Sequence, residues 1–417
     1  MRRVALLLVV SLVLFVVVGC ESTEEDKPTY DELIGFGKKY LEQQDAVAAA
    51  EAFEAALKLR PDGVDAKYGL FLANIMQVTN LFSNLLDLID EAEGLDTFGT
   101  SDQPFGTYLQ EFLQKVLEPK LTRNEELFLE LASEEELLFT LDSYKLVIGE
   151  DVLFDWHGRF KQPELHLLGA VNALILAIDH MANSYYLDFD PTKIEEMPPL
   201  SDDLFETAGA LLEFIEDLMN DSHYPHFLEL KGDEGAVRMP AAGLLLGAAW
   251  FRIIESFELA SSQEGDRLDD PITYKDLNGN GTRDPEEPLI IHGVPLIAEL
   301  LGSINELPPD QIGEDAELEG QLVELLEDLL SVFGAAFLDT SPYDIFPEES
   351  NPITLADLQP LLVYFGILPF PLPFMDRFGV EPGPFFYSPE TDGMRELIRE
   401  LIRAYDFLDL LHDLGLF

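Results

Sequence analysis

YDELIGFGKKYLEQQDAVAAAEAFEAALKLRP, residues 30–61, divides into two segments with the same periodicity. In Tyr30–Gln44 the apolar side chains Leu33, Phe36 and Tyr40 recur every three or four positions, and in Ala46–Leu59 so do Ala49, Phe53 and Ala56. That spacing puts each set on one face of an α-helix. Pro61, with no N–H to donate, ends the second segment. The stretch therefore predicts two helices joined by a tight connection. Helical periodicity continues at 64–93, 104–116, 124–142, 164–186, 202–219, 240–262, 293–306, 314–337, 354–366 and 391–414. Only Tyr144–Ile148 and Val152–Phe154 favour strand, enough for a short β-hairpin. The fold class expected is mostly α: a helical bundle or repeat-like helical array, with one calcium-binding loop described below.

The pair at 30–61 resembles one unit of a tetratricopeptide repeat. Leu33 and Phe36 stand at the large apolar positions of the first helix, Gly37 at the close approach and Tyr40 beneath it. Ala49, Phe53 and Ala56 follow the small-large-small order of the second helix. The resemblance implies antiparallel helices in contact through small residues, with aromatics wedged between units. Moving 34 residues on puts Phe71 at the place of Gly37 and Asn74 at that of Tyr40, so no second full unit is legible. The repeat-like region is taken as 29–78 and a different helical bundle as 79–340.

Two helices of that bundle share a motif, Leu167-Leu-Gly-Ala170 and Leu245-Leu-Gly-Ala248, and both are apolar nearly all round, as buried helices are. From 341 to 390 the character changes. Ten of the chain's 26 prolines and a run of phenylalanines make an irregular wrap, either a seal over the core or an aromatic binding surface. The last segment, 391–417, is an amphipathic helix with Leu397, Leu401, Tyr405 and Leu408 in one stripe. Arg395, Arg399 and Arg403 form another, expected to pair with carboxylates of the body.

The N-terminus gives an address. Arg2 and Arg3 precede Ala5–Val18, an uncharged run of fourteen residues. A helix spanning the hydrocarbon core needs about 20, so residues 1–19 read as a signal peptide. The run ends in Val17-Val18-Gly19-Cys20, which resembles the lipobox of bacterial lipoproteins. The resemblance implies lipidation at Cys20, the chain's only cysteine, and a membrane partner reached through that lipid. Residues 20–28 are acidic and read as a tether. The expected location is the cell envelope, at the outer membrane, the periplasmic face or the cell surface. A formal charge of −55 repels nucleic acid, which is excluded as a partner, and suits divalent cations, basic partners or a saline habitat. With 47% apolar residues the chain is nevertheless able to build a large core.

The sharpest chemical motif is Asp276-Leu-Asn278-Gly-Asn280-Gly281-Thr282-Arg-Asp284-Pro-Glu-Glu287. Oxygen donors fall at positions 1, 3, 5 and 9 of twelve, a glycine at 6 and a glutamate at 12. This pattern is similar to the EF-hand-type calcium loop. It implies Ca2+ held by Asp276, Asn278, Asn280, Asp284 and Glu287, with Thr282 giving its carbonyl. The flanks Pro271–Tyr274 and Pro288–Ile291 are not helical in pattern, as in calcium loops of bacterial surface and secreted proteins. Three charged ligands place the site in the weak extracellular class, on the order of 10⁻⁴ to 10⁻³ M. Asp188-Phe-Asp190 offers two carboxylates to a second cation but lacks the remaining donors.

No G-x-S-x-G elbow, phosphate-binding loop or His-Glu-x-x-His pair occurs, and no catalytic residue is assigned. His223 and His226 are separated by a proline, and His166 and His180 lie four turns apart. The function expected is that of a non-enzymatic, calcium-stabilised scaffold or interaction protein with a protein partner. The alternative is a lipid-anchored accessory component of a periplasmic solute transporter.

Overall fold

The computed structural model describes residues 28–90, 105–134, 136–149, 151–190, 193, 204–263, 265, 269–284, 287, 289–294, 353–354, 379–380, 385–386 and 389–413. The chain is mostly helical with a small antiparallel hairpin. Helix α1 (Tyr30–Glu42) starts on a capping box: Thr29 N donates to Glu32 Oε2 at 2.8 Å, and Glu32 N donates back to Thr29 Oγ1. Helix α2 (Ala46–Leu59) starts on Asp45, which accepts from Ala48 N. The two form the expected hairpin, with Ala49, Phe53 and Ala56 all fully buried.

The Phe53 ring lies so close to the α1 backbone that a Cβ on Gly37 would sit 2.5 Å from it. Helix α3 (Val64–Asp90) meets the same ring with Gly69, two residues before the position that a 34-residue repeat indicates. Phe36 departs from expectation: it is 49% exposed, because the buried face of α1 runs through Tyr30, Leu33, Ile34, Gly37 and Leu41.

The segments expected as separate helices at 104–116 and 124–142 are one run. It consists of α4 (Phe105–Phe112), a π-helical turn (Leu113–Leu117) and α5 (Glu118–Leu131). It ends at Leu131, so 139–142 is not helix but the start of a strand. Strand β1 (Phe139–Ile148) pairs antiparallel with β2 (Asp151–Phe160), a hairpin longer than the sequence indicated. Its inner face (Phe139, Leu141, Tyr144, Phe154, Trp156 and Phe160) joins Tyr68 and Phe71 of α3 in the main core.

Helix α6 (Gln162–Ser184) and helix α8 (Gly232–Ser261) run antiparallel beneath the hairpin, and α7 (Leu204–Met219) lies between them in sequence. Ser256 Oγ donates to Pro163 O, Arg252 Nη1 to Gly169 O and Lys231 N to Ser184 O, which fixes their register along the full length of α6. Helix α8 begins at Gly232 rather than at 240, with Pro240 inside it. Burial of α6 is not all round, since Leu174 and Ile178 are exposed. Both helices are long and apolar enough to cross a membrane by length and composition. Their inner residues Leu165, Leu168, Phe257 and Ala260 nevertheless belong to the main core.

Helix α9 (Gly393–Asp413) packs on α7, with Tyr405 against Gly209 and Ile398 beside Leu218, Met219 and Phe227. Among the described residues, Arg395 alone of its arginines reaches the body, through Glu229 and the carbonyls of Met219, Pro225 and Phe227. Arg399 and Arg403 pair instead with Glu396 and Glu400 on their own helix, and Leu401 is 41% exposed. Residues 1–27, with the signal and Cys20, lie outside the described residues. So do nearly all of the wrap at 341–390, the helices at 314–337 and 355–366, and 295–306.

Candidate metal-binding loop

Two short strands that the sequence did not announce hold the ends of the loop 276–287. Strand β3 (Ile272–Tyr274) pairs antiparallel with β4 (Leu289–Ile291), Tyr274 facing Leu289, both fully buried. This ribbon is fastened to the outer edge of β2. Arg159 N donates to Asp269 O (2.7 Å) before it, Asp155 N to Gly293 O (2.8 Å) after it, and the Trp156 indole to His292 O (2.8 Å). Beneath it, buried Asp270 takes Arg159 Nη2 and Lys161 Nζ, each at 2.8 Å. Buried Glu164 accepts from Lys161 N (2.7 Å) and Ile272 N (3.1 Å). Burial pushes Glu164 up to about 7 despite those donors.

The loop is held in its turn by side-chain oxygens that accept from its own amides. Asp276 Oδ1 accepts from Gly279 N and Asn280 N, and Oδ2 from Gly281 N at 2.8 Å. Asn278 Oδ1 accepts from Asn280 N, and Asn280 Oδ1 from Thr282 N and Oγ1. Gly281, at the sharp turn, has φ +75°, a conformation side chains disfavour. Glu287 is only 2% exposed; Oε1 accepts from Leu277 N (2.8 Å) and Asn278 N, Oε2 from Asp284 N (3.0 Å). The amide nitrogens of Asn278 and Asn280 both donate to Asp284 Oδ2.

The six residues singled out from the sequence are thus tied into one loop. Among the described residues no three His, Cys, Asp or Glu side chains are grouped to hold a metal by themselves. A cation here therefore depends on the Asn278 and Asn280 carboxamides as well as the acids. The donor set fits a hard cation: carboxylates, carboxamides and a carbonyl, all oxygen. Half-turns of the two asparagine amides would replace the Nδ2 atoms now at Asp284 with oxygens.

The other residues considered have different employment. Asp188 caps α4, accepting from Thr107 N (2.9 Å) and Oγ1. His223 pairs with Asp221, His226 with Glu229, and His166 with Glu255 while standing edge-on to Phe128. The sequence reading missed the buried carboxylates of Glu164 and Asp179; the signal available was an acid on the interior stripe of an otherwise apolar helix.

The chain matches no protein-family model, no curated protein and no solved structure.

Proposed function

We propose that this chain is a non-enzymatic, calcium-stabilised helical lipoprotein of the bacterial cell envelope, anchored through Cys20 and acting as an interaction or scaffold protein. The observation supporting the calcium part is the loop 276–287, whose acids are held by the loop's own amides on a ribbon rooted in the core. Calcium there is structural, closing the crossing from α8 to the far side of the β-hairpin. The scaffold part is supported by the tight α1–α2 hairpin around Phe53, the kind of unit from which protein-binding helical arrays are made. The anchor rests on the sequence Val17–Cys20.

Calorimetric titration of the full chain in detergent tests this reading. Wild type is expected to bind one Ca2+ and Asp276→Ala none. At about 10 mM calcium a site of this class stabilises the fold by roughly 1.4–2.7 kcal/mol. Equal heats and equal melting in calcium and chelator would remove the metal from the proposal.

A further inference from the structure

Asp179 on α6 is 1% exposed, and neither of its carboxylate oxygens has a hydrogen-bond partner among the described residues. An orphaned buried carboxylate demands a cause. Helices α4 and α5 run antiparallel to α6, with Gln110 Nε2 on Ala182 O and Asn172 Nδ2 on Leu121 O, so the π-helical turn lies at the level of Asp179. Helix α8 passes on another side, where Arg238 Nη1 stands 3.3 Å from His180 Nδ1 and 3.2 Å from Glu118 Oε2. Three helices thus meet around one acid, at the single irregular turn in this run.

The charged groups facing this junction are Lys115 and Glu118 from the π turn and α5, Glu234 and Arg238 from α8, and His180 from α6 itself. Lys115 is spoken for by Glu111, and Glu234 lies 4.0 Å from Arg238. Arg238, the one cation near Asp179 among the described residues, is already shared between Glu118 and the histidine, so an ionised Asp179 would have to compete for it. Glu118 and Arg238 also line an open groove of about 570 Å³, so both of these neighbours meet solvent.

We infer that Asp179 is a proton-binding site in the packed junction, and that loss of its proton loosens α6 from the π turn and α8. Burial, and next the Glu118 carboxylate, push Asp179 up to about 7 against the charge of Arg238, while the Asn183 amide is spent on the Asp179 backbone carbonyl. An acid raised in the folded state binds its proton more tightly there than in the open chain. Its stabilisation is therefore complete below its ordinary range, near 3.8, and declines as pH rises through that value to about 7. Ionisation sets Asp179 against Glu118 for Arg238, the one cation between them. This inference is independent of the calcium reading.

Hydrogen–deuterium exchange of the full chain in detergent, read on peptides covering 174–184 and corrected for intrinsic rates, tests it. Protection in wild type is expected to fall about tenfold between pH 6 and 8. Asp179→Asn should abolish that fall, and Glu118→Gln, by removing the like charge, should shift its midpoint to lower pH. Peptides at 161–168, around Glu164, serve as the internal control, since they titrate for their own reason. An unchanged pH dependence in Asp179→Asn, or none in wild type, overturns the inference. Were Asp179→Asn unable to fold, an unmoved midpoint in Glu118→Gln would overturn it equally.

Discussion

Replacing Phe53 by alanine is expected to cost about 3–5 kcal/mol of unfolding free energy, measured by denaturant titration of the full chain. The ring has no exposed surface and fills the wedge where three helices and the hairpin meet. Gly37 and Gly69 admit it from two sides, and Phe139 of β1 stands edge-on at 6.2 Å. Deleting it leaves a void that backbone on two sides cannot collapse into, so the cavity penalty adds to the lost transfer energy. Gly37→Ala attacks the same contact from the other side, since its new methyl would meet the ring at 2.5 Å. A loss below about 1 kcal/mol for Phe53→Ala would mean that the ring is not the wedge.

The second large effect belongs to Glu125→Ala, expected to destabilise by about 3 kcal/mol, at the lower end of the range for breaking a buried pair. Arg252 is 5% exposed in the middle of α8 and pairs with both oxygens of Glu125 on α5. Its guanidinium also donates to Gly169 O and lies 3.7 Å over the Phe128 ring, so it joins α5, α6 and α8. Without Glu125 the cation stays buried with a carbonyl, a ring face and only the longer-range charge of Glu255 for company. Glu125 keeps some contact with solvent, which moderates the loss. The double variant Glu125→Ala with Arg252→Met should recover much of the stability, because the uncompensated charge goes with it. No recovery would show that the pair matters through shape rather than charge.

The α1–α2 hairpin was legible because its helices carry uninterrupted 3.6-residue periodicity and a clear stop at Pro61. β1 was misread where it begins, for a physical reason: a bulge inserts Asp142 and Ser143 between Leu141 and Tyr144 against one residue on β2. Two-residue alternation is broken there, and the flanking leucines mimic a helix. Pro240 misplaced the start of α8 because proline was read as a boundary. The long packed face against α6 outweighs the one hydrogen bond that proline removes. The loop's turn was legible residue by residue, since Asp, Asn and Gly at alternate positions hold one another's backbone amides in a tight loop. The ribbon was not, because three-residue strands flanked by prolines carry too little pattern. Asp179 and Glu164 carried only the signal of an acid on an apolar stripe, which does not say what covers it: a junction of helices over Asp179 and the β3 ribbon over Glu164.

The ribbon has a consequence for how the molecule can change over time. Asp269 and Gly293 are bonded to the same strand edge, and Tyr274 and Leu289 close the gap between them. The twelve residues beyond are thus a cassette on a fixed socket. Their tip, Leu277–Thr282, can drift in length and chemistry while the ends stay seated, whereas Arg283, which donates to Ser261 Oγ of α8, and buried Glu287 tie the rest of the cassette to the body.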